Sequence, residues 1–80
     1  MEIEIILYGI ARDIFGAPKH KMNIASGVTV NQVMASLRNE YAELSKLSSL
    51  MIAINDEYAS GDEEIKDGDE IVLIPPVSGG

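Results

Sequence analysis

Eighty residues, 46% of them apolar, make one small domain with enough apolar material for a modest core. The absence of cysteine removes disulfides, thiolate metal sites and cysteine nucleophiles together, and fits a reducing compartment. A formal net charge of −7 argues against nucleic acid, whose binding rests on neutralising phosphates; it favours a basic protein partner, or simply keeps a small protein soluble.

The opening Met1-Glu2-Ile3-Glu4 carries acid where a secretory signal needs base. No stretch approaches the roughly 18 apolar residues of a membrane span. A cytoplasmic protein without membrane association is the expectation.

Residues 2–8 alternate as a strand, with Ile3, Ile5 and Leu7 on one face. Glu2, Glu4, Ile6 and Tyr8 form the other face, charged at its start and apolar at its end. Gly9 breaks the run, and residues 10–15 can form one helical turn before Gly16-Ala17-Pro18. Residues 19–24 alternate again, with His20, Met22 and Ile24 inward, so the two runs suggest a hairpin with a long loop. Thr29 and Gln32 have the spacing of a capping box, and Val28 and Val33 that of a hydrophobic staple. Val30, Val33, Met34, Leu37, Tyr41 and Leu44 recur at helical spacing, predicting a helix that ends between Tyr41 and Leu44. Residues 45–49 then read as a connector.

Residues 50–55 form an apolar strand, Asn55-Asp56-Glu57 is turn chemistry, and Tyr58-Ala59 reads as a short return strand. Lys66-Asp67-Gly68-Asp69 signals a tight turn before a last strand over residues 70–74, which Pro75 ends because proline cannot donate to a ladder. The order β-β-α-β-β-β predicts an α+β fold in which a mixed sheet of about five strands covers one main helix. This is the β-grasp, or ubiquitin-like, arrangement, with the first and last strands side by side at the sheet centre. Residues 1–75 are read as the folded body and residues 76–80 as an extended, flexible Gly-Gly tail.

Side-chain chemistry is sparse. Neither a Gly-x-x-x-x-Gly-Lys loop nor a Gly-x-Gly-x-x-Gly turn is present, so no nucleotide cradle is expected. His20 is the single histidine, and a zinc site or a histidine-based triad needs partners that this chain lacks. A structural or surface role for it is favoured. The acids at residues 56–57, 62–64 and 67–70 match no EF-hand spacing and read as solvated loop charge. No bound metal or cofactor is expected.

The ending Pro75-Pro76-Val77-Ser78-Gly79-Gly80 carries the functional signal. The two prolines hold the root of the tail near extended conformations. Ser78 is small, and Gly79 and Gly80 have no side chain, so the tail can enter a narrow channel. Six extended residues reach at most roughly 20 Å. A carboxylate at Gly80 is a poor electrophile until activated, for example as an acyl-adenylate made by another protein from ATP. Once activated it can accept sulfur, and in a chain without cysteine it is the plausible sulfur carrier. The bland alternative is a disordered glycine end.

The chain resembles the small subunit of molybdopterin synthase, the MoaD-type sulfur carriers. The resemblance covers nearly the whole length and rests on Ile54-Asn55, on Asp67-Gly68-Asp69-Glu70, on Pro75-Pro76-Val77-Ser78-Gly79-Gly80, and on Arg12 in the first loop. Gly-Gly alone is shared by ubiquitin-like modifiers; the combination is more specific. The resemblance implies that an adenylyltransferase similar to ubiquitin-activating enzymes uses ATP on Gly80, and that a sulfur donor then makes a thiocarboxylate. It further implies that the tail delivers this sulfur to cyclic pyranopterin monophosphate inside the large synthase subunit, in a heterotetramer whose catalytic groups belong to the large subunit. By the same resemblance Tyr8, Tyr58 and Ile74 match positions that pack on that subunit, with Pro75, Pro76, Val77 and Ser78 leading in and Gly79 giving access. Parity along the strands places Ile6, Tyr8, Val72 and Ile74 on one face, and exposed apolar patches with aromatics mark interfaces; the alternative is that some of them are core. Competing readings are a carrier for thiamine or tRNA thiolation, a protein modifier joined through Gly80 to lysines, and a binding module with an inert tail.

Overall fold

Period-two alternation in β1 (Glu2–Leu7) buries Ile3, Ile5 and Leu7 and leaves Glu4 and Ile6 half-covered on the opposite face. The computed structural model describes residues 1–47 and 49–75. After β1 comes the short helix α1 (Ile10–Phe15), closed by Gly16 in the left-handed region with its N–H donating to the Arg12 carbonyl. The chain returns antiparallel to β1 as β2 (Lys19–Asn23), whose burial alternates as its sequence does.

The main helix, α2 (Val30–Glu40), starts as its sequence requires. Thr29 Oγ1 accepts from the Gln32 N–H at 3.3 Å, and Gln32 Oε1 accepts from the Thr29 N–H at 2.9 Å. Two further N-terminal donors reach the loop over residues 60–64. Val30 N–H donates to the Glu63 carbonyl and Asn31 N–H to the Gly61 carbonyl, at 3.0 and 2.9 Å. That loop is itself held by Glu63, whose carboxylate accepts from the N–H groups of Ser60 and Gly61 and from the Ser60 hydroxyl. These bonds, led by the one from Ser60 N–H, hold the Glu63 carboxyl at about 2, below its ordinary 4.5. Gly61 has φ +120, and a Cβ there would lie 2.5 Å from Asn31 Oδ1, so only glycine fits against the helix start.

The helix stops at Glu40, a residue short of the expected range, and a 3-10 turn (Ala42–Lys46) stands where the connector was expected to begin. Packing explains the difference. Leu44 is buried and Tyr41 half-buried, but Tyr41 has φ −119 and ψ 88, outside the helical region. The break lets Tyr41 stack on Phe15 at 4.0 Å, with His20 edge-on to both rings. His20 is thus part of an aromatic cluster linking α1, β2 and the end of α2.

β3 (Met51–Ile54) and β4 (Glu57–Tyr58) form a hairpin whose turn is only Asn55-Asp56, with φ 51 and 71. Two successive left-handed residues match the right-handed twist of the strands, and Asn and Asp tolerate that conformation. The return strand therefore begins at Glu57, one residue earlier than the sequence suggested. The Lys66–Asp69 turn has Gly68 at φ +87 and an Asp69 N–H to Lys66 carbonyl bond, leading into β5 (Ile71–Ile74).

The five strands lie in the order β2-β1-β5-β3-β4, with β1 and β5 parallel and all other neighbours antiparallel. The first and last strands are adjacent at the centre, as expected of a β-grasp. Ile3, Ile5, Leu7, Ile52, Ile71 and Leu73 on one face meet Val30, Val33, Met34 and Leu37 of α2, with Leu44 and Ile65 closing the sides. Among the described residues no helix is long and apolar enough to cross a membrane.

Candidate functional site

The sheet face turned away from α2 is built by strand register. Directly paired residues share a face, so Tyr58, Ala53, Val72 and Ile6 form one row across four strands. Met51 pairs with Ile74, and Tyr8 follows β1 beside them, giving a second row nearer the end of β5. At the other end of the same face stand Glu70, just before β5, and Asp56 in the hairpin turn. The face is graded: apolar and aromatic toward Pro75, acidic about 13 Å away along the strand, four residues at the usual rise.

Tyr8, Ala53, Asp56, Tyr58, Glu70, Val72 and Ile74 line an open hollow of about 340 Å³. Tyr8 is 56% and Tyr58 66% exposed, whereas Val72 and Ile74 are half-buried and Ala53 is buried. Of the positions singled out in sequence, Tyr8, Tyr58 and Ile74 are brought together here, and the two tyrosines are not core. Ile6 lies in the row beside Val72 but does not line the hollow. Pro75, half-buried, sits at the end of β5, its Cγ 3.4 Å from where a Cβ on Gly9 would stand. Pro76, Val77, Ser78, Gly79 and Gly80 lie outside the described residues. Arg12 is exposed on α1, away from the hollow.

The acidic end is held in place by Asn55. Its Nδ2 donates to Asp69 Oδ1 at 3.1 Å and its Oδ1 accepts from Glu70 N–H at 3.0 Å, while its own N–H donates to the Glu70 carbonyl at 2.9 Å. Asp69 in turn accepts from Lys66 N–H at 2.8 Å. This clasp accounts physically for Ile54-Asn55 and Asp67-Gly68-Asp69-Glu70 as matched motifs. Sequence reasoning took Asp56 and Glu70 as turn charge and missed Ala53. The run Met51-Ile52-Ala53-Ile54 is apolar throughout, so it carries no alternation from which a face could be read. Among the described residues no group of three or more His, Asp or Glu is placed to hold a metal ion.

The ThiS family model matches residues 5–80. The molybdopterin synthase sulfur carrier subunit of Arabidopsis thaliana is 31% identical, over 100% of this chain and 84% of that protein. The solution structure of small archaeal modifier protein 1 from Methanosarcina acetivorans is 31% identical with a TM-score of 0.74, covering 99% of this chain and 96% of that one. Subunits 1 and 2 of the molybdopterin-converting factor from Helicobacter pylori have been solved as a complex, in which the matching chain is 27% identical with a TM-score of 0.67 over 100% of both chains. A five-stranded sheet with this order and a family match through residue 80 lead to one conclusion: the chain belongs to the ThiS family and is similar within it to the molybdopterin synthase sulfur carrier subunits.

Proposed function

We propose that the chain is a cytoplasmic sulfur carrier for molybdenum cofactor synthesis, the non-catalytic small subunit of a molybdopterin synthase. The observation that carries the reading is an exposed aromatic face at the root of a Pro-Pro-Val-Ser-Gly-Gly segment, in a chain whose relatives have that role. Such a face docks the body while the segment beyond Pro75 reaches into the partner. In the proposed cycle an adenylyltransferase partner uses ATP to activate the Gly80 carboxylate, and a sulfur donor replaces the adenylate to leave a thiocarboxylate. The large subunit then receives the tail and supplies the catalytic groups, and two deliveries of sulfur to cyclic pyranopterin monophosphate complete the dithiolene. Gly79 lets the last residues pass a constriction that a side chain would block.

Intact-mass measurement tests this. Incubation of the full chain with an adenylating partner, ATP and a sulfur donor is expected to add the mass difference between sulfur and oxygen. Deleting Gly79 and Gly80 abolishes the gain. If the native chain never gains that mass, the carrier reading fails.

A second reading has its own support, since the modifier protein from Methanosarcina acetivorans is as similar in sequence as the Arabidopsis carrier. Conjugation through Gly80 would give isopeptide-linked adducts on lysines in cell lysate, which the carrier role alone would not.

A further inference from the structure

The hollow on the outer face has two chemically different walls. Tyr8, Tyr58, Val72 and Ile74 give it aromatic and aliphatic surface, and Asp56 and Glu70 give it two carboxylates at one end. Neither carboxylate has a salt-bridge partner among the described residues. Glu4, at the same end of the sheet, is engaged by Lys19 at 3.2 Å, and Lys21, which pairs with Glu4 across the strands, makes no ion pair with either carboxylate among the described residues. The backbone at Glu70 is pinned by Asn55, which leaves its side chain free to meet a ligand without disturbing the turn.

An apolar stem with a cationic head fits such walls. Arginine suits them better than lysine: its planar guanidinium stacks on aromatic rings and offers paired N–H donors to carboxylates. The hollow is open and only about 340 Å³, at the small end for a cofactor site and ample for one long side chain. We propose that the hollow receives an arginine side chain of the subunit that accepts the tail, its stem crossing Ala53 and Val72 and its guanidinium meeting Asp56 and Glu70. The inference rests on the carrier reading and adds a recognition element to it. It requires the partner to present that arginine roughly 16 Å, five residues along the strand, from the mouth of the channel entered beyond Pro75. Apolar contact near the tail root and a charge pair four residues away would together fix both position and orientation of the docked body.

The test uses the full chain and the large molybdopterin synthase subunit of the same organism, with binding measured by calorimetry at several salt concentrations. The double variant Asp56→Asn/Glu70→Gln is expected to bind about tenfold or more weakly and with a shallower salt dependence. A control, Asp13→Asn/Glu43→Gln, removes the same charge from α1 and the 3-10 turn and should bind like the native chain. Equal weakening by both pairs would assign the effect to net charge and overturn the proposal. Unchanged binding by Asp56→Asn/Glu70→Gln overturns it too, as does failure of the native chain to bind. Arginine amide titrated into the isotope-labelled chain reads the hollow directly by NMR. It should shift Tyr58 and Glu70 resonances in the native chain and not in the double variant; no shift in either overturns the proposal. Self-association of the native chain that the double variant abolishes would instead place a second copy on this face. The mass gain at Gly80 is measured separately, so loss of the carrier reading and loss of the arginine site are distinguishable.

Discussion

Glu63 concentrates three hydrogen bonds on one exposed carboxylate, and its depressed pKa is a statement about stability. A carboxyl lowered from 4.5 to about 2 stabilises the fold above pH 4.5 and loses that contribution as pH falls toward 2. Glu63→Gln is neutral throughout. Melting followed by circular dichroism from pH 5 to 2 should show the native chain losing more of its Tm than the variant, with the two converging at the acid end. Parallel curves would show that the carboxylate bonds do not contribute. Asn55 is the other residue on which much depends, because it combines a left-handed backbone with two side-chain bonds. Asn55→Ala loses both bonds and adds backbone strain, costing about 2 kcal/mol in urea unfolding. Asn55→Gly should recover the backbone part and not the bonds. Equal losses in the two variants would mean that backbone strain is not part of the cost.

At the scale of elements, period and punctuation were legible where one residue type has one physical use. The capping box at Thr29 and Gln32, the glycine turn at Gly68 and the proline after β5 stand where their chemistry requires. Boundaries moved where tertiary packing overrode local pattern. Leu44 keeps helical spacing, yet Tyr41 leaves the helix to stack on Phe15, and the chain tightens into a 3-10 turn. The candidate site was half legible. Tyr8 and Ile74 follow from parity within single strands, and Tyr58 from resemblance. Ala53, Asp56 and Glu70 depend on which strands pair and in what register, and no local signal in a uniformly apolar β3 specifies that.

Across the whole molecule, the sheet divides the chain into a face that packs on α2 and a face that stays open to solvent. The buried set is shared between the inner face and α2, so the outer face can carry exposed tyrosines without drawing on the core. Charge is divided as well. Lys19 and Lys21 lie on β2 at one edge of the sheet, while Asp56 and Glu57 lie on the β3–β4 hairpin at the other. A partner that approaches the acidic side is steered before contact, so association should slow as salt rises.

The central place of β5 has a mechanical meaning. Pairing in parallel with β1 and antiparallel with β3, it carries backbone bonds on both edges. Because β1 runs in the same direction, the start of the chain and Pro75 lie at opposite ends of the two middle strands. Tension drawn along the segment beyond Pro75 therefore loads these bonds in shear, and both rows must give way together. The β3–β4 hairpin, pulled at its open end, would instead unzip pair by pair. Single-molecule pulling between residue 1 and residue 75 should need a higher force than pulling across that hairpin. A body that resists load along its own tail can be hauled out of a partner's channel without unfolding.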